Sequence, residues 1–284
     1  MSVYGAHEAK LYYVQESTYG VTPTSPNMLG LATAENVEPA LNPSLIKIRG
    51  VGSRDLQALR RGLRQVDLKV AYALPSDAPI SFLQHVQTLN SLSVELFYEK
   101  ASGVVDLLNK GCRIDKATVD CSIEGVVKAS ADLIGQDVSV GTAKISGATY
   151  ADHAGAVPYF ESYVQRGAGD GSGLTAVERV TDWKFTVENN LKRVPVIRSS
   201  SGFLLKYLQE RHRVLTGELT FEFESKQEYD DVVNDAEFSL KIGLGGTYSA
   251  LFRYCKWERA GSPTKVEDLV SLKAPFVARD MIIS

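Results

Sequence analysis

Several residue types are scarce in this chain, and each shortage removes a class of function. There are three cysteines in 284 residues, Cys112, Cys121 and Cys255. An odd number with no CxxC pair and no histidine nearby supports neither a disulfide framework nor a zinc site, and it fits synthesis in a reducing cytoplasm. The expectation is three small buried side chains. No apolar run approaches the roughly 18 residues of a membrane helix. Residues 1–10 lack the apolar stretch of a secretory signal, so no membrane partner is expected. Charge of one sign is not in excess either: 31 Lys and Arg stand against 34 Asp and Glu, a net charge of −3. Tight, sequence-independent nucleic-acid binding needs clustered cations to displace phosphate counterions, and the chain has no such surplus.

Catalytic signatures are missing as well. The four histidines are His7, His85, His153 and His212. His7-Glu8 has no second histidine at the spacing of a metalloprotease helix, and His85 lies beside an apolar stripe. Asp152-His153 has no nucleophile motif near it, and no Gly-x-Ser-x-Gly occurs. The acidic pair Asp230-Asp231 reads as the solvated face of a helix. The run Gly167-Ala168-Gly169-Asp170-Gly171-Ser172-Gly173 lacks the Lys-Ser/Thr of a phosphate loop and reads as a linker or loop tip. The expectation is a protein that is not an enzyme and has no catalytic, cofactor-binding or metal-binding residue.

What the chain does contain is β-pattern, twice. Val66, Leu68, Val70, Tyr72 and Leu74 share one face of a strand. Leu215, Gly217, Leu219, Phe221 and Phe223 share another, with Thr216, Glu218, Thr220 and Glu222 opposite. A second pair of strands spans residues 92–98 and 238–244. A short helix precedes each. The first has Asp77 as cap, Pro79 in its first turn and Phe82, Leu83, Val86 and Leu89 as its stripe. The second has the Ser225-x-x-Glu228 spacing of a capping box, with Tyr229, Val232 and Val233 on one side.

Motifs recur in order along the chain. Glu38-Pro39-Ala40-Leu41 resembles Glu188-Asn189-Asn190-Leu191. Ile48-Arg49 and Arg64-Gln65-Val66 return 149 residues later (197 − 48 and 213 − 64) as Ile197-Arg198 and Arg213-Val214-Leu215. Cys112 to Lys116 and Ala131 to Asp137 return 143 residues later (255 − 112 and 274 − 131) as Cys255 to Arg259 and Ala274 to Asp280. Ordered matches of this kind predict a duplicated module, residues 1–165 with an N-terminal arm and residues 166–284 as its copy. Between the matched strands lie two basic segments with apolar residues, 49–64 and 198–213. Long loops of such composition meet a partner or serve a site.

Most of the chain resembles the tail tube proteins of long-tailed phages of the siphovirus kind, in a duplicated form. The residues that carry the resemblance are Glu16-Ser17-Thr18-Tyr19-Gly20-Val21-Thr22-Pro23, the paired strands from Gly111 to Val119 and from Ala129 to Gly135, and Phe185 to Leu191 followed by Thr216 to Phe221. The resemblance implies a mainly β fold of two tandem tail-tube-type sandwich or half-barrel modules, each with a short flanking helix. It implies a structural virion protein whose rings stack into the tail tube, the channel for genome ejection. Implied partners are further copies of the chain, tape-measure and tail-terminator or baseplate proteins, and viral DNA in transit without tight binding. The implied location is the virion tail, after synthesis and assembly in the host cytoplasm.

Suppose, as in that family, each half gives four strands to the channel wall. With strands about 4.8 Å apart and tilted roughly 40°, three chains give about 24 strands and a backbone diameter near 48 Å. About 38 Å remains after side chains, ample for a duplex about 20 Å across. Six chains would give about 96 Å and one chain about 16 Å on the same geometry. A homotrimeric ring is therefore expected. Candidates to face the channel are Asp67, Lys69, Glu95, Glu218, Thr220, Glu222 and Lys241, four acids against two lysines. Candidates for contacts between stacked rings are Arg49, Arg54, Leu56, Arg60, Arg61 and Arg64 in the first basic segment. In the second they are Arg198, Phe203, Leu204, Lys206, Arg211 and Arg213. Carboxylates of the next ring such as Glu258, Glu267 or Asp268 are candidate partners. Residues 8–26 and 150–167 are candidates for arm exchange. Two other readings stay open: another tail, baseplate or adhesin-type β-sandwich protein, and a small-molecule-binding β-barrel or hydrolase.

Overall fold

Apolar–polar alternation with few helix-forming runs makes strands, and a computed structural model describes residues 3–100, 103–199, 201–261 and 270–284. In chain order the strands of the first half are β1 (Ala9–Gln15), β2 (Asn27–Leu31), β3 (Ala34–Asn42), β4 (Ile46–Ile48), β5 (Ala58–Arg60), β6 (Gln65–Ala73), β7 (Leu92–Lys100), β8 (Gly103–Ser122), β9 (Lys128–Gly135), β10 (Asp137–Gly141) and β11 (Thr149–His153). The second half has β12 (Val164–Ala168), β13 (Thr175–Ala176), β14 (Val180–Glu188), β15 (Lys192–Val194), β16 (Tyr207–Gln209), β17 (Val214–Glu222), β18 (Phe238–Gly243), β19 (Ser249–Trp257), β20 (Ser271–Ala278) and β21 (Asp280–Ile283). Two helices, α1 (His85–Thr88) and α2 (Gln227–Val233), sit between β6 and β7 and between β17 and β18. The fold is mainly β, as expected.

One long sheet runs through both halves in the order β3-β6-β9-β8-β14-β17-β20-β19. Its midpoint is the antiparallel pairing of β8 with β14, from Lys116 opposite Glu188 to Ser122 opposite Asp182. Two smaller sheets cover one face of it. The first is β10-β8-β7-β1-β2-β11 and the second is β21-β19-β18-β12-β13. β8 and β19 thus belong to both layers. Between the layers lies one continuous core, from Leu68, Tyr72 and Val94 through Val119 and Phe185 to Phe252 and Phe276. All three cysteines are buried and free.

The pairing scheme of the first half recurs in the second. Val66 pairs with Gly135 as Leu215 pairs with Ala278, offsets of 149 (215 − 66) and 143 (278 − 135). Leu92 pairs with Cys112 as Phe238 pairs with Cys255, offsets of 146 (238 − 92) and 143 (255 − 112). Even the irregularities agree: bulges fall between Leu92 and Val94 and between Phe238 and Leu240. In one respect the sequence comparison is corrected. β3 and β14 correspond at an offset of 146 (187 − 41), because Leu41 and Val187 face Val66 and Leu215. The match of Glu38 with Glu188, at 150 (188 − 38), follows similar polar letters and ignores the inward series Trp183, Phe185 and Val187.

Where β8 changes layer, Gly111 has a positive φ of 64°. A Cβ there would lie 2.8 Å from that of Gln136. Glu16 holds the bend: its carboxylate accepts from Gly111 N and Ser93 Oγ, both at 2.8 Å, and from Gly20 N at 2.7 Å. The same place in β19 carries Tyr254, with φ 54°.

Both helix starts differ from expectation. Asp77 does not cap; it faces His153 Nδ1 at 3.2 Å. Glu228 does not close a capping box, because it is buried in an ion pair with Arg179, while Val232 and Val233 are exposed. Asp231 is not solvated either. It meets Arg166 at 2.6 Å and accepts from Trp257 Nε1 at 3.1 Å. Burial pushes the His85 imidazole down to about 4, so it is neutral at pH 7. The glycine-rich run 167–173 closes the β12–β13 turn. Within residues 8–26 and 150–167, β1, β11 and β12 are paired inside the chain, and Glu16 is held at the β8 bend.

Candidate functional site

Among the described residues, no group of His, Cys, Asp or Glu is placed to hold a metal. No helix among them is long and apolar enough to cross a membrane. The features that ask for a partner are the uncovered face of the long sheet, its two margins, and a projecting hairpin.

The uncovered face is mostly polar because most apolar residues of its strands point the other way, with Ile134 and Val277 as exceptions near one end of each half. Asp67 and Lys69 on β6 alternate with buried Val66, Leu68 and Val70, and Glu218, Thr220 and Glu222 on β17 alternate with buried Leu219 and Phe221. Charges on this face alternate across the strands. One row reads Glu38, Lys69, Asp132, Lys116, Glu188. Another reads Lys128, Asp120, Lys184, Glu218. Lys116 reaches Glu188 at 2.6 Å, and between the rows Thr118 Oγ1 and Thr186 Oγ1 share a hydrogen bond of 3.0 Å. Opposite charges directly across a sheet stabilise the pairing and cancel each other's field. The lysine in that pair is held above its usual range, first by its hydrogen bond to Glu188. Burial holds Asp120 above the usual carboxylate range.

Two residues expected beside these, Glu95 and Lys241, are not on this face. Glu95 is fully buried in β7 of a covering sheet, accepting from Ile145 N at 3.1 Å and Tyr150 Oη at 2.8 Å. Lys241 lies on β18 of the other covering sheet, opposite Gln165 and Leu251. Their strands alternate like β6 and β17, but they form the second layer. Asp67 is on the open face, yet Arg193 already pairs with it.

The basic segments form two hairpins of different fate. The second, β15–β16, folds across one end of the open face. Leu191, Leu205 and Leu208 bury there with Ile134. Gln136 Nε2 donates to Leu205 O at 2.8 Å and Arg64 N to Phe203 O at 2.7 Å. Arg61 and Arg64 stack on the Phe203 ring at 4.1 and 5.2 Å. Arg64 also pairs with Asp137, Arg213 faces Asp280 at 3.6 Å, and Arg198 donates to the carbonyls of Ser201, Leu204 and Leu205. Arg64, Arg198, Phe203 and Arg213 are therefore engaged within the chain. Leu204 is half-buried. Lys206 lies 5.8 Å from the Tyr207 ring.

The first hairpin, β4–β5, projects. Arg49, Arg54 and Arg60 are exposed and make no ion pair among the described residues, and Leu45, Leu56 and Leu59 are exposed beside them. Arg211 is exposed as well. Glu258 is exposed, while Glu267 and Asp268 lie outside the described residues. Both basic segments share one composition and one expected role. Only the pairing of each with a seat separates them, and that depends on which strand of the sheet lies alongside. Glu16, the clamp of the β8 bend, is a further residue that the strand and loop patterns do not single out. Its signal was an acidic residue placed before a Tyr-Gly turn.

Among the described residues, a sheet whose two margins have no strand paired beyond them and a hairpin without a seat fit a subunit completed by other chains. The chain matches the family model for phage tail tube protein over residues 6–278, and it belongs to that family. It is a structural component of a virion tail, and it self-associates into a multi-subunit tube. Among solved structures it is similar to a chain of the virion of a native gene transfer agent particle. That likeness has 6% identity and a TM-score of 0.35, and covers 45% of this chain and 99% of the other. No curated protein matches the chain.

Proposed function

We propose that three copies close into a ring of six similar modules, that rings stack into the tube, and that the open face of the long sheet lines the channel for DNA. The observation that carries this reading is the β8–β14 pairing. It joins two four-strand units side by side and leaves β3 and the far end of β19 as matching margins. Three such sheets supply about 24 strands, the number that encloses a duplex with room to move. The recurring registers support duplication, with the junction just before Val164, since β12 pairs with β18 and β13.

Asp67, Lys69, Glu218, Thr220 and Glu222 face the channel in this arrangement. Charges that alternate every strand offer DNA no sustained cationic track, and without released counterions there is little affinity to slow its passage. Arg49, Arg60 and Arg211, exposed and without an ion pair among the described residues, reach outward from their loops to serve contacts to the neighbouring ring, while Arg64, Arg198 and Arg213 stabilise the subunit. Tape-measure and terminator or baseplate proteins meet the tube within and at its ends. The role is architectural rather than enzymatic, and the subunit is made in the host cytoplasm. Cryo-electron microscopy of tubes assembled from purified protein tests the reading: three chains per ring are expected, and six full chains per ring overturn it.

A further inference from the structure

The two hairpins hold equivalent places, yet one is seated and the other bare. Ile46 pairs with Arg60 as Lys192 pairs with Gln209, offsets of 146 (192 − 46) and 149 (209 − 60). At these offsets Leu191, Leu205 and Leu208 correspond to Leu45, Leu56 and Leu59. The first three are 9%, 0% and 2% exposed, and the second three 52%, 41% and 55%. The same leucines are present in both hairpins, but only one set is covered.

The seat of the second hairpin identifies the seat missing for the first. From β14 the second hairpin reaches back over β9 and β6, where it covers Ile134 and pairs with Asp67. The same reach from β3 leads off the margin of the sheet, away from the chain's own second half. The position equivalent to Ile134 is Val277, which is 36% exposed. The partner of Gln136 is Arg279, whose side chain is 72% exposed. A ready receptor therefore exists, on the opposite margin of the molecule.

Building on the ring arrangement proposed above, we infer that residues 43–62 of each subunit seat on the second half of the adjacent subunit in the same ring. Leu45, Leu56 and Leu59 cover its Val277, and β3 pairs with its residues 259–261. The register follows from the intramolecular seam. Glu188, Val187 and Thr186 face Lys116, Ala117 and Thr118, so Asn42, Leu41 and Ala40 face Arg259, Ala260 and Gly261. The bridge of Gly261 with Lys273 matches the pairing of Thr118 with Ser130, so the offset of 143 (261 − 118) extends to Gly261. One contact is not reproduced. Arg193 and Asp67 correspond to Lys47 and Thr216, so this seat lacks that ion pair and rests more on its leucines.

Two double-cysteine chains test the inference. In one, Leu41→Cys and Ala260→Cys occupy directly opposed positions, within disulfide reach. In the other, Arg54→Cys and Arg213→Cys replace the residues equivalent to Phe203 and Arg64, whose backbones bond at 2.7 Å, and a short bismaleimide joins them. All four sites are exposed or half-buried, so folding is retained. Each assembled variant is expected to give a ladder that stops at three chains. Moving one cysteine from position 260 to 261 puts the sulfurs on opposite faces and abolishes the first ladder. If the 41–260 ladder forms and the 54–213 ladder does not, the seat is refuted and the ring stands. If neither forms in tubes seen by microscopy, the order of edges is wrong and both readings fall. A Leu56→Ser, Leu59→Ser chain supplies an independent readout. Its unassembled subunit should melt as the parent does while its trimer yield drops at least tenfold, and unchanged yield refutes the seat.

Discussion

Asp106 offers a test in which stability should fall as pH rises, the reverse of the usual behaviour of a carboxylate. It sits on β8 beside Glu95, both buried, and its Oδ1 has no hydrogen-bond partner. Burial first, and then the Glu95 carboxylate, push it up to about 7 from 3.8. Between those values the folded chain keeps a proton that the unfolded chain has released. Stability is therefore full below about pH 4 and declines until Asp106 ionises near pH 7. A shift of about three units bounds the loss at about 4 kcal/mol. Within that bound, about 2–4 kcal/mol is expected at pH 8. Asp106→Asn keeps the shape and donates an amide hydrogen toward Glu95, as the protonated acid does. Urea unfolding of the unassembled subunit should show the variant more stable than the parent by that amount at pH 8 and by no more than about 1 kcal/mol at pH 4.5. An equal difference at both pH values, or none at pH 8, refutes the account.

Two substitutions probe the packing. Glu228→Ala strands the buried guanidinium of Arg179 and should cost about 3–5 kcal/mol by denaturant unfolding; adding Arg179→Met should recover most of it, and simple additivity of the two losses would show that the pair does not act as a unit. Gly111→Ala forces a Cβ against Gln136 at positive φ and should cost about 2–4 kcal/mol. Tyr254→Gly, at the matching bend, should change stability by less than about 1 kcal/mol, and equal effects at the two bends would discount the role given to Glu16.

Much of the fold is legible in the residues because strand faces are written in period two. Val66, Leu68, Val70 and Tyr72 could face only a core, and the offsets of 149 and 143 in the motifs are the ones that the β6–β9 and β17–β20 pairings obey. What period two cannot say is which layer a strand joins. Glu95 and Lys241 alternate as regularly as Asp67 and Glu218, yet their strands lie in the covering sheets. Ion pairs were hidden for a related reason. Asp231 and Glu228 look like the wet side of a helix until Arg166 and Arg179, over fifty and nearly fifty residues earlier, arrive beside them. The fate of the hairpins was least legible, since both carry leucines and arginines and only the strand next door decides whether a seat is at hand.

The seam between β8 and β14 also bears on how assembly begins. In the proposed ring, three of six seams are formed when each chain folds, before any two molecules meet. Initiation then scales with the third power of subunit concentration rather than the sixth. The tethered half-units meet at an effective concentration in the millimolar range, far above what separate modules would reach in solution. Fusion of the halves thus trades a slow six-body encounter for a three-body one, and it ensures that left and right neighbours are supplied in equal number.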